Sequence, residues 1–219
     1  MKKAVFLDFY GTVVYEDGEI IRQITQVICQ TGCEADPAKV GGFWWKVFQD
    51  LCAHAYGDTF QTQRELEIQS LTRTLEKFHA NADPFQLSEW MFTYWRKPPI
   101  FEDSKVFFSQ CSIPIHILSN IDTEDIKQAL VYHNLVPEKV WTSEDVRSYK
   151  PRKEMFEQAL RASGLQPDEV VHIGDSLSSD VKGAQACQIP AIWLNRSQRS
   201  VPCGVTAVSD LIQVLDRYL

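Results

Sequence analysis

Apolar positions along the chain follow two regimes. Residues 3–8 (KAVFLD) form a short apolar run that ends in a carboxylate and is bounded by Gly11-Thr12. This predicts a buried strand feeding a loop. Beyond it the period lengthens. From Glu19 to Thr31, residues Ile20, Ile21, Ile24, Val27 and Ile28 share one broad helical face, and Gly32 stops the pattern. Asp36-Pro37 supplies an N-cap and a first-turn proline. The helix it opens runs toward Tyr56 and ends at Gly57, despite Gly41-Gly42. Thr62 to His79 carries Leu66, Leu71, Leu75 and Phe78 at helical spacing. Asp83-Pro84 opens a fourth helix bearing Trp90, Met91, Tyr94 and Trp95, which Lys97-Pro98-Pro99 breaks. Residues 16–97 therefore read as a helical block without a strand.

From residue 98 the pattern alternates. Strands are predicted at Ile113–Leu118, Lys139–Thr142, Val170–Ile173 and Ala191–Leu194. Helices are predicted at 123–133, Pro151–Ser163, 178–187 and Ser209–Tyr218. Such alternation predicts an α/β fold, a mostly parallel sheet with helices on both faces. The domain division is 1–15 with 98–219 as one unit and 16–97 as an all-helical insert. No internal repeat or low-complexity segment interrupts it.

Composition narrows the function. The chain has 219 residues, with 22 Lys plus Arg against 29 Asp plus Glu, a net charge of −7. A surface of that sign repels a phosphate backbone on average, so general nucleic-acid binding is disfavoured unless a local basic patch exists. With 44% hydrophobic and 23% charged residues, the chain is neither disordered nor collagen-like. Six cysteines lie at 29, 33, 52, 111, 187 and 203 without a CxxC pair or zinc spacing. Cys29 and Cys33 are spaced to share a helix face, but scattered core thiols are the stronger reading. The N-terminal apolar run, Ala4 to Leu7, is too short for a signal peptide. No run of about 18 apolar residues predicts a membrane span. These features predict a soluble protein of a reducing cytoplasm.

Polar residues collect at the predicted strand ends: Asp8 after the first, Ser119 after the second, Lys150 in the loop after the third, Asp175 after the fourth. In an open parallel sheet that edge binds ligands. One such residue is ordinarily a cap or a solvated charge; four delivered to one crevice are a candidate site. Two carboxylates there repel unless a cation separates them, and hard oxygen donors suit Mg²⁺. Gly11 and Gly174 beside them allow close backbone approach to an anion.

These segments resemble a known family. VFLDFYGTVV (5–14), ILSN (117–120), YKP (149–151) and VHIGDSLSSD (171–180) are similar, in order and spacing, to motifs I to IV of the haloacid dehalogenase superfamily. The match spans essentially the whole chain. The helical block lies where subfamily I members carry a cap between motifs I and II. The resemblance implies a Rossmann-like three-layer sandwich with an inserted helical cap. It also implies roles: Asp8 as nucleophile, Thr12 and Ser119 as hydrogen-bonding groups for the anion or the nucleophile, and Lys150 as the counter-charge. Asp8, Asp175 and the Tyr10 backbone carbonyl would hold Mg²⁺, with Asp180 supporting Asp175 and Lys150. Gly11 and Asn120 would offer backbone N–H groups to a small anionic substrate. Hinges are expected near residues 15 and 97, and the chain as a monomer or homodimer.

One position departs from the phosphatase pattern. Phosphatases of the superfamily have an aspartate two residues after the nucleophile, which protonates the leaving group. Here that residue is Tyr10. A phenol with a pKa near 10 is a poor base at neutral pH, and losing such an acid/base costs roughly 10²–10⁴ in rate. Tyrosine at this place resembles the L-2-haloacid dehalogenase branch, with its DxYGT pattern. Three differences weigh against that branch: no arginine lies between Arg22 and Arg64, with Lys46 the nearest candidate; Phe156 stands where it has tyrosine; Asp175 and Leu177 stand where it has Ser and Asn. The reading favoured is a Mg²⁺-dependent phosphohydrolase of a small phosphate ester. The alternatives are a dehalogenase-type hydrolase and a non-catalytic phosphometabolite-binding protein. The cap aromatics Phe43, Trp44, Trp45, Phe48, Trp90 and Trp95 read as cap core rather than a binding cage, and His54 and His79 as bystanders.

Overall fold

Strand β1 (Ala4–Leu7) is buried along its length. Its alternation splits the molecule in two, because successive side chains point to opposite faces. Val5 and Leu7 join one apolar cluster, while Ala4 and Phe6 join another on the opposite face. The computed structural model describes residues 2–32 and 34–219; Cys33, half of the Cys29/Cys33 pair, lies outside them.

Six parallel strands form the sheet in the order β3-β2-β1-β4-β5-β6. The others are β2 (Ile115–Ser119), β3 (Lys139–Thr142), β4 (Val170–Gly174), β5 (Ala191–Leu194) and β6 (Thr206–Val208). Helices α5 (Glu102–Gln110), α6 (Thr123–His133) and α10 (Ile212–Tyr218) cover one face through Phe107, Ile126 and Val214. After β3 comes the short helix α7 (Ser143–Val146), and on the other face α8 (Glu154–Ser163) and α9 (Gly183–Ala186) pack through Met155, Phe156 and Ala184. Burial on both faces explains why the strands are near-continuous apolar runs.

Between β1 and α5 lies the helical cap, α1 (Gly18–Gln30), α2 (Pro37–His54), α3 (Gln63–Phe78) and α4 (Pro84–Arg96). Its start signals work as physical caps. The Asp36 carboxylate accepts from Lys39 N–H, Asp83 from Phe85 N–H, and Thr62 and Glu65 cap α3 reciprocally. Trp44, Leu71, Met91 and Trp95 continue the core cluster of the sheet without a break, by way of Phe9, Val13 and Val14.

Polar clamps also tie cap to core. Asp122 precedes α6 but does not cap it; it accepts instead from the N–H groups of Gln63 and Arg64 at 2.8 and 3.0 Å, capping α3. Arg64 forks onto buried Asp125 at 2.8 and 2.5 Å. Tyr149 donates to the Gln61 carbonyl, and Arg147 to that of Gly57. The two chain crossings near residues 15 and 97 run side by side, with Tyr15 N–H donating to Pro99 and Phe101 N–H to Val13.

Several expected boundaries shift. The helix expected over 178–187 is a π-helical turn, Leu177–Lys182, followed by α9. Asp180 turns inward there instead of continuing a regular helix. The helix expected from Pro151 begins at Glu154, after Arg152 N–H closes a turn on Tyr149. The last helix begins at Ile212, because Asp210 caps it from outside, its carboxylate accepting from Gln213 N–H. Helix α5 and edge strand β6 have no counterpart in the pattern. No helix among the described residues is long and apolar enough to cross a membrane.

Candidate active site

Asp8 continues β1 by one residue, its N–H donating to Ile173 of the neighbouring strand at 2.9 Å. That pairing points a buried carboxylate at the sheet's C-terminal edge. Lys150 comes to it from the loop before α8. Its Nζ donates to Asp8 Oδ1 at 2.7 Å, to Asp180 Oδ1 at 2.6 Å and to the Leu118 carbonyl at 2.7 Å. All three donors are used, and the ammonium is 4% exposed, so it is a fixed charge and not a mobile one.

Asp180 holds that charge in place. Its Oδ1 also meets His172 Nε2 at 3.0 Å, and its Oδ2 accepts from Ser176 N–H at 3.1 Å. Burial alone would raise its pKa; the Lys150 ammonium and the His172 contact overcome this and hold it below the usual carboxylate range. Burial pushes the His172 imidazole down from its ordinary pKa, with Asp180 pulling against it. Burial opposes the Lys150 charge too, but Asp180 and Asp8 outweigh it and raise its pKa.

Asp175 follows β4. Burial comes first in pushing its carboxyl well above the usual range, and Asp8, Asp180 and Glu16 add to it. Glu16 shares a side-chain hydrogen bond with Asp175 and is itself raised by burial. Burial also pushes Asp8 up to about 6, Lys150 pulling against it. Asp8, Asp175 and Asp180 present oxygens within 4.8 Å of one another. All three line the crevice, but both Asp180 oxygens are engaged, Oδ1 by Lys150 and His172 and Oδ2 by the Ser176 N–H. The negative charge of the three exceeds what Lys150 neutralises. That hard-oxygen donor set fits a divalent cation such as Mg²⁺.

Two glycines make this packing possible. A Cβ on Gly11, at φ +86, would sit 2.7 Å from the Asp175 carboxylate, and one on Gly174 would sit 2.2 Å from Asp180 Cγ. Their role is to admit the site's own carboxylates.

The other candidates fall at the same place in different postures. Thr12 Oγ1 accepts from Asp175 N–H at 3.1 Å, so the hydroxyl addresses Asp175 and the loop that carries it. Asn120 uses its side chain, donating to the Lys150 carbonyl and accepting from Lys150 N–H, which braces the loop behind the ammonium. Ser119, Asn120, Gly11 and Tyr10 all line the crevice, about 1540 Å³ in volume. The Tyr10 phenol turns away from the carboxylates into the cap, where it donates to the Trp95 carbonyl at 2.6 Å. Burial, then the charges of Asp125, Asp17 and Asp8, push its pKa well above the ordinary range. Tyr10 is thus a strut between the first loop and α4, unable to shed its proton near neutral pH.

Several residues of the site carry no sequence signal. Buried His172 looks like any strand residue. Arg196 and Arg199 come from the loop after β5: Arg196 donates to the Thr12 carbonyl at 2.7 Å and pairs with Asp103, and Arg199 lies over Trp193. The reading of the cap aromatics as core holds for Trp44 and Trp95, which are buried, and in part for Phe48, which packs against Ala55, Leu66 and Tyr149 while lining the crevice; it fails for Trp45 and Trp90, which are exposed. Lys46 is exposed and outside the crevice lining. Arg22, at the crevice mouth, pairs with Glu19.

A family model described as a haloacid dehalogenase-like hydrolase matches residues 2–188. Among curated proteins, phosphoserine phosphatase of Thermus thermophilus is 27% identical over 121 residues, which cover 52% of this chain and 48% of that one. The chain spans about half the length, or less, of most of the curated relatives it matches. Among solved structures, L-2-haloacid dehalogenase from Xanthobacter autotrophicus superimposes with a TM-score of 0.76 at 16% identity, covering 100% of both chains. The magnesium-bound HAD-hydrolase YfnB from Bacillus subtilis gives 0.77 at 17%, covering 98% and 97%. At such identities the likeness is one of fold.

Proposed function

The chain belongs to the haloacid dehalogenase-like hydrolases, and on that premise we propose that it is a Mg²⁺-dependent phosphohydrolase of small phosphate esters. One observation carries this reading. Asp8, Asp175 and Asp180 present oxygens within 4.8 Å of one another, and the cation that meets this cluster is the buried ammonium of Lys150, through Asp8 and Asp180; the crevice's arginines lie outside the cluster. A metal-free site meant for an anionic substrate has no use for that excess of negative charge.

Asp8 is the nucleophile. Lys150 and the Phe9 N–H orient its carboxylate, and attack on phosphorus gives an aspartyl phosphate that water hydrolyses. Asp8, Asp175 and the Tyr10 carbonyl would hold Mg²⁺, which supplies charge neutralisation for the phosphoryl oxygens. Asp180 and His172 keep Lys150 in place. Ser119 and the backbone N–H of Asn120 take up the remaining oxygens of the phosphoryl group; the N–H of Gly11, expected to share that role, donates instead to the Val14 carbonyl at 2.8 Å, and Thr12 fixes the loop that carries Asp175.

A second reading, ester formation on a haloacid carbon, draws on Tyr10, whose hydrogen bond to Trp95 leaves no acid at the usual place. The two separate by assay. The phosphohydrolase releases phosphate from p-nitrophenyl phosphate with Mg²⁺, and EDTA or Asp8→Asn abolishes this. Chloride released from 2-chloropropionate in EDTA would replace the first reading with the second. Vanadate binding with neither activity would point to a binding protein.

A further inference from the structure

Helix α2 carries Trp45, Phe48, Gln49 and Cys52 at i, i+3, i+4 and i+7, a single stripe along the helix, and all four line the crevice that contains Asp8. The adjoining side of α2 is occupied: Val40 and Trp44 are buried, and the Trp44 indole donates to Ser70. Within the stripe, Phe48 and Cys52 pack against Ala55, Leu66 and Tyr149, so Trp45 and Gln49 are the two exposed residues it leaves to the crevice. Trp45 lies over Phe48 with ring centroids 6.0 Å apart and planes 21° from parallel, yet remains 55% exposed. A large indole backed by a second ring and left open over a charged site is a stacking surface awaiting a planar group. A second, independent feature concerns the leaving group. The phenol at the usual acid position donates to the Trp95 carbonyl and points into the cap. An alkoxide departing here would receive no proton from that position. A phenol has a pKa of about 10 and leaves as phenolate without help.

Taking the phosphohydrolase reading as its basis, we propose that the crevice selects aryl phosphates, esters whose bridging oxygen sits on an aromatic ring, with Trp45 as the residue that recognises the ring. Asp8 forms a bond to phosphorus. The bond from phosphorus to the bridging oxygen breaks, and its electron pair leaves on the phenolate, which takes a proton from solvent. Water then cleaves the aspartyl phosphate, returning the carboxylate and inorganic phosphate. Gln49, one turn beyond Trp45, offers an amide donor and acceptor to substituents on the ring.

Four probes separate the ring from the leaving group: phenyl phosphate (ring, good leaving group), AMP (ring, alkoxide), acetyl phosphate (no ring, good leaving group) and glycerol 3-phosphate (neither). With Mg²⁺, phenyl phosphate is expected to have the highest kcat/KM. Trp45→Ala should raise KM about tenfold for phenyl phosphate and weaken AMP about tenfold as a competitive inhibitor, and leave the KM of acetyl phosphate and inhibition by glycerol 3-phosphate unchanged. Trp45→Phe should restore most of the loss. Equal effects of Trp45→Ala on all four probes, or none on phenyl phosphate, would overturn the proposal and leave the phosphohydrolase reading standing. If no probe is hydrolysed, that reading fails and calorimetry decides this one. Phenyl phosphate should then bind Asp8→Asn about tenfold more tightly than Asp8→Asn/Trp45→Ala, and equal affinity rejects the aromatic surface.

Discussion

Replacing Asp175 by asparagine should stabilise the metal-free protein at neutral pH while removing its response to Mg²⁺. The side chain keeps its shape and loses its charge. Its neighbours Asp8 and Asp180 present oxygens within 4.8 Å; at that distance two unit charges repel by about 3.5 kcal/mol with an effective dielectric near 20. Lys150 offsets part of this and water at the crevice floor screens more, leaving a gain of about 1–2 kcal/mol. The sign follows from the pKa. Folding raises the Asp175 carboxyl well above 3.8, so stability present below that value is lost as pH rises, by up to about 1.4 kcal/mol per unit, until the raised pKa is passed. The variant lacks this loss. Its curve should meet that of the wild type near pH 4 and exceed it increasingly toward pH 7. Urea unfolding in EDTA across that range measures the difference. Repeating it in Mg²⁺ should raise only the wild type, by about 2.7 kcal/mol at a hundredfold excess over Kd. A variant less stable than wild type in EDTA at pH 7, or one still stabilised by Mg²⁺, would refute the electrostatic argument for the site.

Three further outcomes are expected. Lys150→Met abolishes turnover and costs about 3–5 kcal/mol, because Asp8 and Asp180 remain buried without their cation; the deficit in urea unfolding should shrink in acid as both carboxyls protonate. Tyr10→Phe removes one hydrogen bond to the Trp95 carbonyl and costs about 0.5–1.5 kcal/mol; kcat should change less than about threefold, and a fall of roughly 10² or more would put the phenol in the chemistry. Arg64→Ala strips buried Asp125 of its partner and α3 of its anchor, costing about 1–3 kcal/mol; hydrogen exchange should quicken first in α3 and α6, and unchanged protection there would mean the clamp does not hold the cap.

The architecture was legible wherever physics acts locally. Apolar periodicity places all four cap helices, Asp36, Asp83 and Thr62 start three of them, and the strand-end residues Asp8, Ser119, Lys150 and Asp175 converge on one edge because parallel strands present their C-terminal ends together. What needed the tertiary structure is what depends on partners distant in the chain. Whether an aromatic residue on α2 is core or lining depends on which stripe α3 covers, so Trp44 and Trp45 are adjacent in sequence and opposite in environment. Tyr10 reads as a residue of the site, yet its hydroxyl belongs to the cap, because the Trp95 carbonyl 85 residues away accepts from it. Asp180 reads as a helix residue and becomes the anchor of Lys150 because the backbone there widens into a π-helical turn. His172, Arg196 and Arg199 reach the site through sheet order and a loop's path. The sequence by itself determined which chemistry is present; the fold decided which atoms of each residue face it, since a side chain's direction is set by the contacts that fill the space around it.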